Sequence, residues 1–85
     1  MMMLRYELKL PDFEIDQSPT FVSLWLAKEG CAVSQDQPLI EIAVGSVVID
    51  LPSPVDGVLA EKKVATDESL QVGQTLAVIE QVLDL

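Results

Sequence analysis

An all-β fold, a small sandwich or flattened barrel of two related sheets facing each other about a pseudo-twofold, is what this 85-residue sequence predicts from three features. Four glycines and five prolines cut the chain into pieces, most of them too short for a helix of average length. The pieces are rich in valine, isoleucine and leucine and several alternate apolar with polar residues, the periodicity of a strand with one buried face. The second half also repeats the first at an offset of 37 positions.

In chain order, Leu4, Tyr6, Leu8 and Leu10 alternate with Arg5, Glu7 and Lys9, and predict a first strand. Further strands are expected over Phe21 to Leu26, Leu39 to Val44, Val47 to Leu51, Val58 to Val64 and Leu76 to Val82, with no helix. The repeat places Phe21 on Val58, Val22 on Leu59, Ala27 on Val64, Val33 on Leu70, Gln37 on Gln74, Leu39 on Leu76 and Ile42 on Ile79. Seven like-for-like matches in one register predict two equivalent halves that share one core. A single domain over residues 1–85 is expected, with its core over about 4–82.

Between two of these runs, Gly45-Ser46 suits the central positions of a type II′ hairpin turn. That turn pairs Val44 with Val47, Ile42 with Ile49 and Ile40 with Leu51 on a face expected to point inward. The other face carries Ala43 opposite Val48 and Glu41 opposite Asp50. Two facing carboxylates repel, and with no nucleophile or cleft nearby they read as acids on a wet face. Pro52-Ser53-Pro54 ends the second arm, and Asp56-Gly57 turns the chain into the next strand.

Composition narrows the chemistry. The chain has no histidine and one cysteine, Cys31, so it cannot build a Ser-His-Asp or Cys-His site, and it lacks the ligands of a structural zinc site. Lys+Arg 5 against Asp+Glu 14 gives a net charge of -9, which disfavours nucleic acid and anionic membrane surfaces as partners. Although 49% of residues are hydrophobic, every apolar run is interrupted well short of the roughly 18 residues that a membrane span needs. A non-catalytic module is expected, and one unpaired cysteine with no secretory leader pattern suggests the reducing cytoplasm.

With its repeat and central hairpin, the sequence resembles the biotinyl/lipoyl attachment-domain family, specifically lipoyl domains of the dihydrolipoamide acyltransferase (E2) components of 2-oxo acid dehydrogenase complexes. The resemblance runs from about Leu8 to Glu80. It is carried by Leu8-Lys9-Leu10-Pro11-Asp12, Trp25-Leu26-Ala27-Lys28-Glu29-Gly30, Gln37-Pro38-Leu39-Ile40-Glu41-Ile42, Leu51-Pro52-Ser53-Pro54-Val55-Asp56-Gly57-Val58 and Val72-Gly73-Gln74-Thr75-Leu76-Ala77-Val78-Ile79-Glu80. It implies the family's flattened barrel of two four-stranded antiparallel sheets. It also implies a swinging-arm role, in which a lysine at the central hairpin tip, usually within E-T-D-K-A, bears lipoate or biotin through an amide.

In this sequence those five positions read Ala43-Val44-Gly45-Ser46-Val47. Ser46 stands at the attachment position, where a hydroxyl cannot form the amide, and Gly45 replaces the acidic neighbour. No cofactor is therefore expected on this chain, and the hairpin would present the apolar residues Ala43, Val44, Val47 and Val48 instead. The resemblance also implies a partner-recognition loop beside the hairpin, here containing Asp12 and Glu14, with Glu14 replacing the usual glycine after Pro11-Asp12-Phe13. Protein partners are implied, among them 2-oxo acid dehydrogenase subunits.

Two alternatives stay open: a genuine lipoyl carrier whose lysine was mutated to Ser46, and a biotin carboxyl carrier-like domain, which the lack of methionine beyond Met3 disfavours. Excision from a longer acyltransferase is compatible with each. Lys9, Lys28, Lys62 and Lys63 are predicted on strand faces or near strand ends, so none replaces the tip amine. Ser46 lies between strands, unlike the helix-start serine of phosphopantetheine carriers. Asp12, Glu14 and Asp16 have the opening spacing of a calcium loop, but Gln17 stands where that loop needs glycine and Ser23 where it needs glutamate. Cys31 is expected as a half-buried turn thiol.

Overall fold

The apolar runs become seven strands in the computed structural model, which describes residues 2–14 and 18–83. They are β1 (Met2–Lys9), β2 (Thr20–Trp25), β3 (Ala32–Val33), β4 (Pro38–Val44), β5 (Val47–Pro52), β6 (Gly57–Lys62) and β7 (Thr75–Leu83). No helix occurs among the described residues. One sheet has the order β1-β7-β6-β3 and the other β2-β4-β5, with every pairing antiparallel.

The all-β architecture and the facing sheets are as expected, but the second sheet has three strands rather than four. Its fourth strand shrinks to one bridge, Phe21 with Ser69. This bridge is the repeat equivalent of the β3–β6 pair Ala32 with Val58. In the first half Ala32–Val33 keeps two residues in the ladder, whereas in the second half only Ser69 bridges.

The offset of 37 holds at the level of individual hydrogen bonds. Phe21–Ala43, Val22–Ile42, Leu24–Glu41 and Trp25–Ile40 in one half correspond to Val58–Glu80, Leu59–Ile79, Glu61–Val78 and Lys62–Ala77 in the other, with a bulge at the same point of each. Leu26 N–H donates to Leu39 O at 2.8 Å, as Lys63 N–H donates to Leu76 O at 2.8 Å. The strands β5 and β1 are also equivalent: Ser53 N–H donates to Gln37 O and Leu10 N–H to Gln74 O, at 2.8 and 2.9 Å. Even the left-handed turn positions match, Gly30 with Asp67 and Asp36 with Gly73.

Each half closes a core cluster between the sheets. Ala27, Val33, Leu39, Leu59, Ala77 and Ile79 form one. Their equivalents Val64, Leu70, Leu76, Val22, Ile40 and Ile42 belong to the other, together with Leu10, Val44 and Leu51. The clusters meet at equivalent residues: Lys62 Nζ lies 4.9 Å above the Trp25 ring, and Trp25 Nε1–H donates to Val64 O at 3.0 Å. Burial of these aliphatic side chains drives the fold, and the matched hydrogen-bond ladders fix its register.

Candidate functional site

The β4–β5 hairpin has the predicted register throughout its tip: Val44 faces Val47, Ala43 faces Val48, Ile42 faces Ile49, Glu41 faces Asp50 and Ile40 faces Leu51. Gly45 has a φ of 59°, while Ser46 stays out of the left-handed region, as a type II′ turn requires. A loop closes against this turn. Gly45 N–H donates to Pro19 O at 3.0 Å, and a Cβ at Gly45 would lie 3.0 Å from Ser18 Oγ. Glycine at this position thus answers both a backbone angle and a close neighbour.

Ser46 is exposed at the apex. Lys9 ends β1, Lys62 ends β6, Lys63 follows it and Lys28 lies between β2 and β3, so no amine is on the hairpin. The tip therefore does not fit an amide-linked lipoyl or biotinyl group: its only side-chain nucleophile is an alcohol.

The apolar tip is smaller than expected. Ala43 and Val44 are buried, at 7% and 3% exposure: β2 places Phe21 beside the outward Ala43, and Val44 belongs to the core between the sheets. Val47 belongs to the face expected to point inward, yet it is 46% exposed because it lies beyond the last core layer. Val48 is exposed on the opposite face. Val47 and Val48 thus do not form one surface, and neither Ala43 nor Val44 is available to a partner.

In the loop beside the tip, Phe13 packs against the core while Asp12 and Glu14 face solvent. Glu14 keeps a glycine-like backbone with φ 57°, steadied by its N–H donating to Asp12 Oδ1 at 2.8 Å. Asp16 and Gln17 lie outside the described residues, and no metal-binding group of three occurs among the described ones. Cys31 is exposed rather than half-buried, since its turn projects past β3.

The two sheets differ in how they finish their outer faces. On the β1-β7-β6 face Arg5 bridges Glu80 at 3.0 Å and Glu61 at 3.5 Å, and Lys63 pairs with Glu61. Lys63, then Arg5, hold the Glu61 carboxyl below its ordinary range. Its ionised form is therefore favoured by folding; the stabilisation is complete above pH 4.5 and is lost as pH falls through the lowered folded value. An NMR titration of Glu61 is expected to give a midpoint below 4.5 that returns toward 4.5 in Lys63→Ala.

On the β2-β4-β5 face the corresponding positions are apolar, a difference that sequence reasoning missed. The offset of 37 applied to charged residues would have shown part of it, because it places Glu61, Lys63 and Glu80 on Leu24, Leu26 and Ala43.

Comparison with known proteins relates the chain to the biotin/lipoyl domains. The biotin/lipoyl family model, described as "Biotin-requiring enzyme", matches residues 7–79. The chain is 30% identical over 76 residues to the dihydrolipoyllysine-residue acetyltransferase component of the pyruvate dehydrogenase complex of Corynebacterium glutamicum, covering 89% of this chain and 11% of that protein. It is 34% identical over 73 residues to the dihydrolipoyllysine-residue succinyltransferase component of the 2-oxoglutarate dehydrogenase complex of Haemophilus influenzae, covering 86% of this chain and 18% of that protein. The chain thus spans less than a fifth of either relative. The solution structure of the lipoyl domain of the Azotobacter vinelandii 2-oxoglutarate dehydrogenase complex superimposes with a TM-score of 0.72 at 27% identity, covering 86% of this chain and 92% of that one.

Proposed function

The chain belongs to the biotin/lipoyl attachment-domain family, and from that premise we propose that it is a lipoyl-domain-like module whose attachment position, taken by Ser46, carries no prosthetic group. It is related to the acyltransferase components of 2-oxo acid dehydrogenases and acts as a non-catalytic binding or structural module among the subunits of such a complex. The observation that carries the reading is the hairpin apex: Gly45-Ser46 occupies the turn, and all four lysines lie elsewhere.

The chemistry follows from the tip. An amide-forming ligase needs an amine on a flexible stem at the summit of a rigid hairpin; Ser46 offers a hydroxyl one bond from Cβ. The hairpin is still rigidly presented, with Gly45 tied to Pro19, so it retains a defined shape for a protein partner. Asp12 and Glu14, exposed in the loop that packs beside the tip, are the polar residues proposed to contact that partner, with Val47 as its apolar contact. The exposed unpaired thiol of Cys31 supports a reducing, cytoplasmic setting.

Incubation with lipoate-protein ligase, lipoate and ATP is expected to leave the intact mass unchanged. A gain of one lipoyl group would overturn the reading, and peptide mapping of the modified residue would show which amine substitutes for the tip.

A further inference from the structure

We propose that the outer face of the β2-β4-β5 sheet, centred on Leu24 and Val48, docks a protein segment in which apolar side chains alternate with lysine or arginine. This goes beyond the hairpin tip and does not depend on what position 46 carries.

The fold contains its own control. The pair Arg5–Glu80 corresponds to Val48–Ala43, Glu61 corresponds to Leu24, and Lys63 corresponds to Leu26. On one sheet these four positions form a linked ionic network over the outward Val78, which lies between Glu7 and Glu61 in the ladder and is only 3% exposed. On the other sheet all four are apolar. Leu24, Leu26 and Val48 are 50%, 42% and 56% exposed, and Phe21 adds a half-buried ring beside Ala43. The same backbone thus supports a solvated finish and an apolar one, so the apolar residues are not demanded by the barrel.

Charge selects the occupant. The strands β2, β4 and β5 contain no lysine or arginine, and the row next to Val48 sets Glu41 directly opposite Asp50. Ser23 Oγ–H donates to Glu41 Oε1 at 3.0 Å, but neither carboxylate has an ion-pair partner among the described residues. Facing carboxylates of this kind are relieved by an incoming cation. A second copy would bring its own Glu41, Asp50 and net charge of -9, so self-association is opposed. A basic amphipathic segment satisfies both the apolar row and the acid pair.

The test is an amide chemical-shift titration of the labelled chain with a short synthetic peptide alternating Lys and Leu, with oligolysine and a Glu-Leu peptide as controls. Saturable shifts are expected at Phe21, Leu24, Glu41, Val48 and Asp50 with the Lys-Leu peptide alone. Val48→Arg is expected to weaken binding about tenfold, as is Leu24→Ser, while Arg5→Ala leaves it unchanged. The fold tolerates arginine at the equivalent of position 48, namely Arg5, and unchanged spectral dispersion of both variants checks their folding. Equal binding of oligolysine, shifts confined to the β1-β7-β6 face, no shifts at all, or dimerisation through Val48 in sedimentation equilibrium would each overturn the proposal.

Discussion

Gly57→Ala is expected to cost about 3 kcal/mol, a large share of the roughly 4–13 kcal/mol available to a chain of this length. Gly57 opens β6, paired with Val33 on one side and lying against β7 on the other. A Cβ there would penetrate the van der Waals shell of the Glu80 carbonyl oxygen and come within 3.0 Å of Ile79 Cγ2. The first obstacle is backbone, so no rotamer change relieves it, and the second belongs to a fully buried side chain. Either β6 moves away from β7 and opens the smaller core cluster, or the ladder breaks at Val58–Glu80. Denaturant unfolding followed by circular dichroism measures the loss, and a cost below about 1 kcal/mol would show that the two strands can separate freely.

Ser46→Lys is expected to accept lipoate poorly from lipoate-protein ligase, far below a lipoyl domain with the usual tip. The substitution supplies the amine but leaves Gly45, with no side chain to stand for the acid of the E-T-D-K-A pattern that the resemblance implies, and Val47 and Val48 as apolar flanks. Restoring the acid is not simple in this fold. At φ 59° an L-residue is strained by about 1–2 kcal/mol, and its Cβ would crowd Ser18 Oγ at 3.0 Å. Intact-mass measurement of Ser46→Lys after ligation reads the outcome directly. Near-complete labelling of the single variant would mean that the ligase recognises the hairpin backbone and tolerates its flanks.

Much of the architecture was legible because short-range rules determine it. Gly45-Ser46 fixed a turn type, the turn type fixed the register, and the pairs from Val44–Val47 to Ile40–Leu51 followed. The repeat was legible because buried aliphatic residues recur wherever the two halves contribute equivalent core positions. What escaped depends on contacts distant in sequence. Strand β3 is two residues long and exists only because β6 lies beside it. Ala43 lies on the outward face of the hairpin and looks exposed in isolation; β2, about 20 residues earlier, buries it. In the site, Ser46 at the apex could be assigned from local spacing. The ionic network of one outer face was legible only in part, since bringing Arg5 to Glu80 needs the β1–β7 register.

The equivalence of β1 with β5 has a consequence for connectivity. Met2 faces Leu83 and Leu4 faces Gln81, so β7 and β1 together make a nicked hairpin, with the Leu4–Gln81 pair standing where Val44–Val47 stands in the closed one. A short loop joining residues 83 and 2, with the cut moved to Gly45-Ser46, would yield a circular permutant with every ladder preserved. Topologically, the barrel has two interchangeable places at which its chain can start.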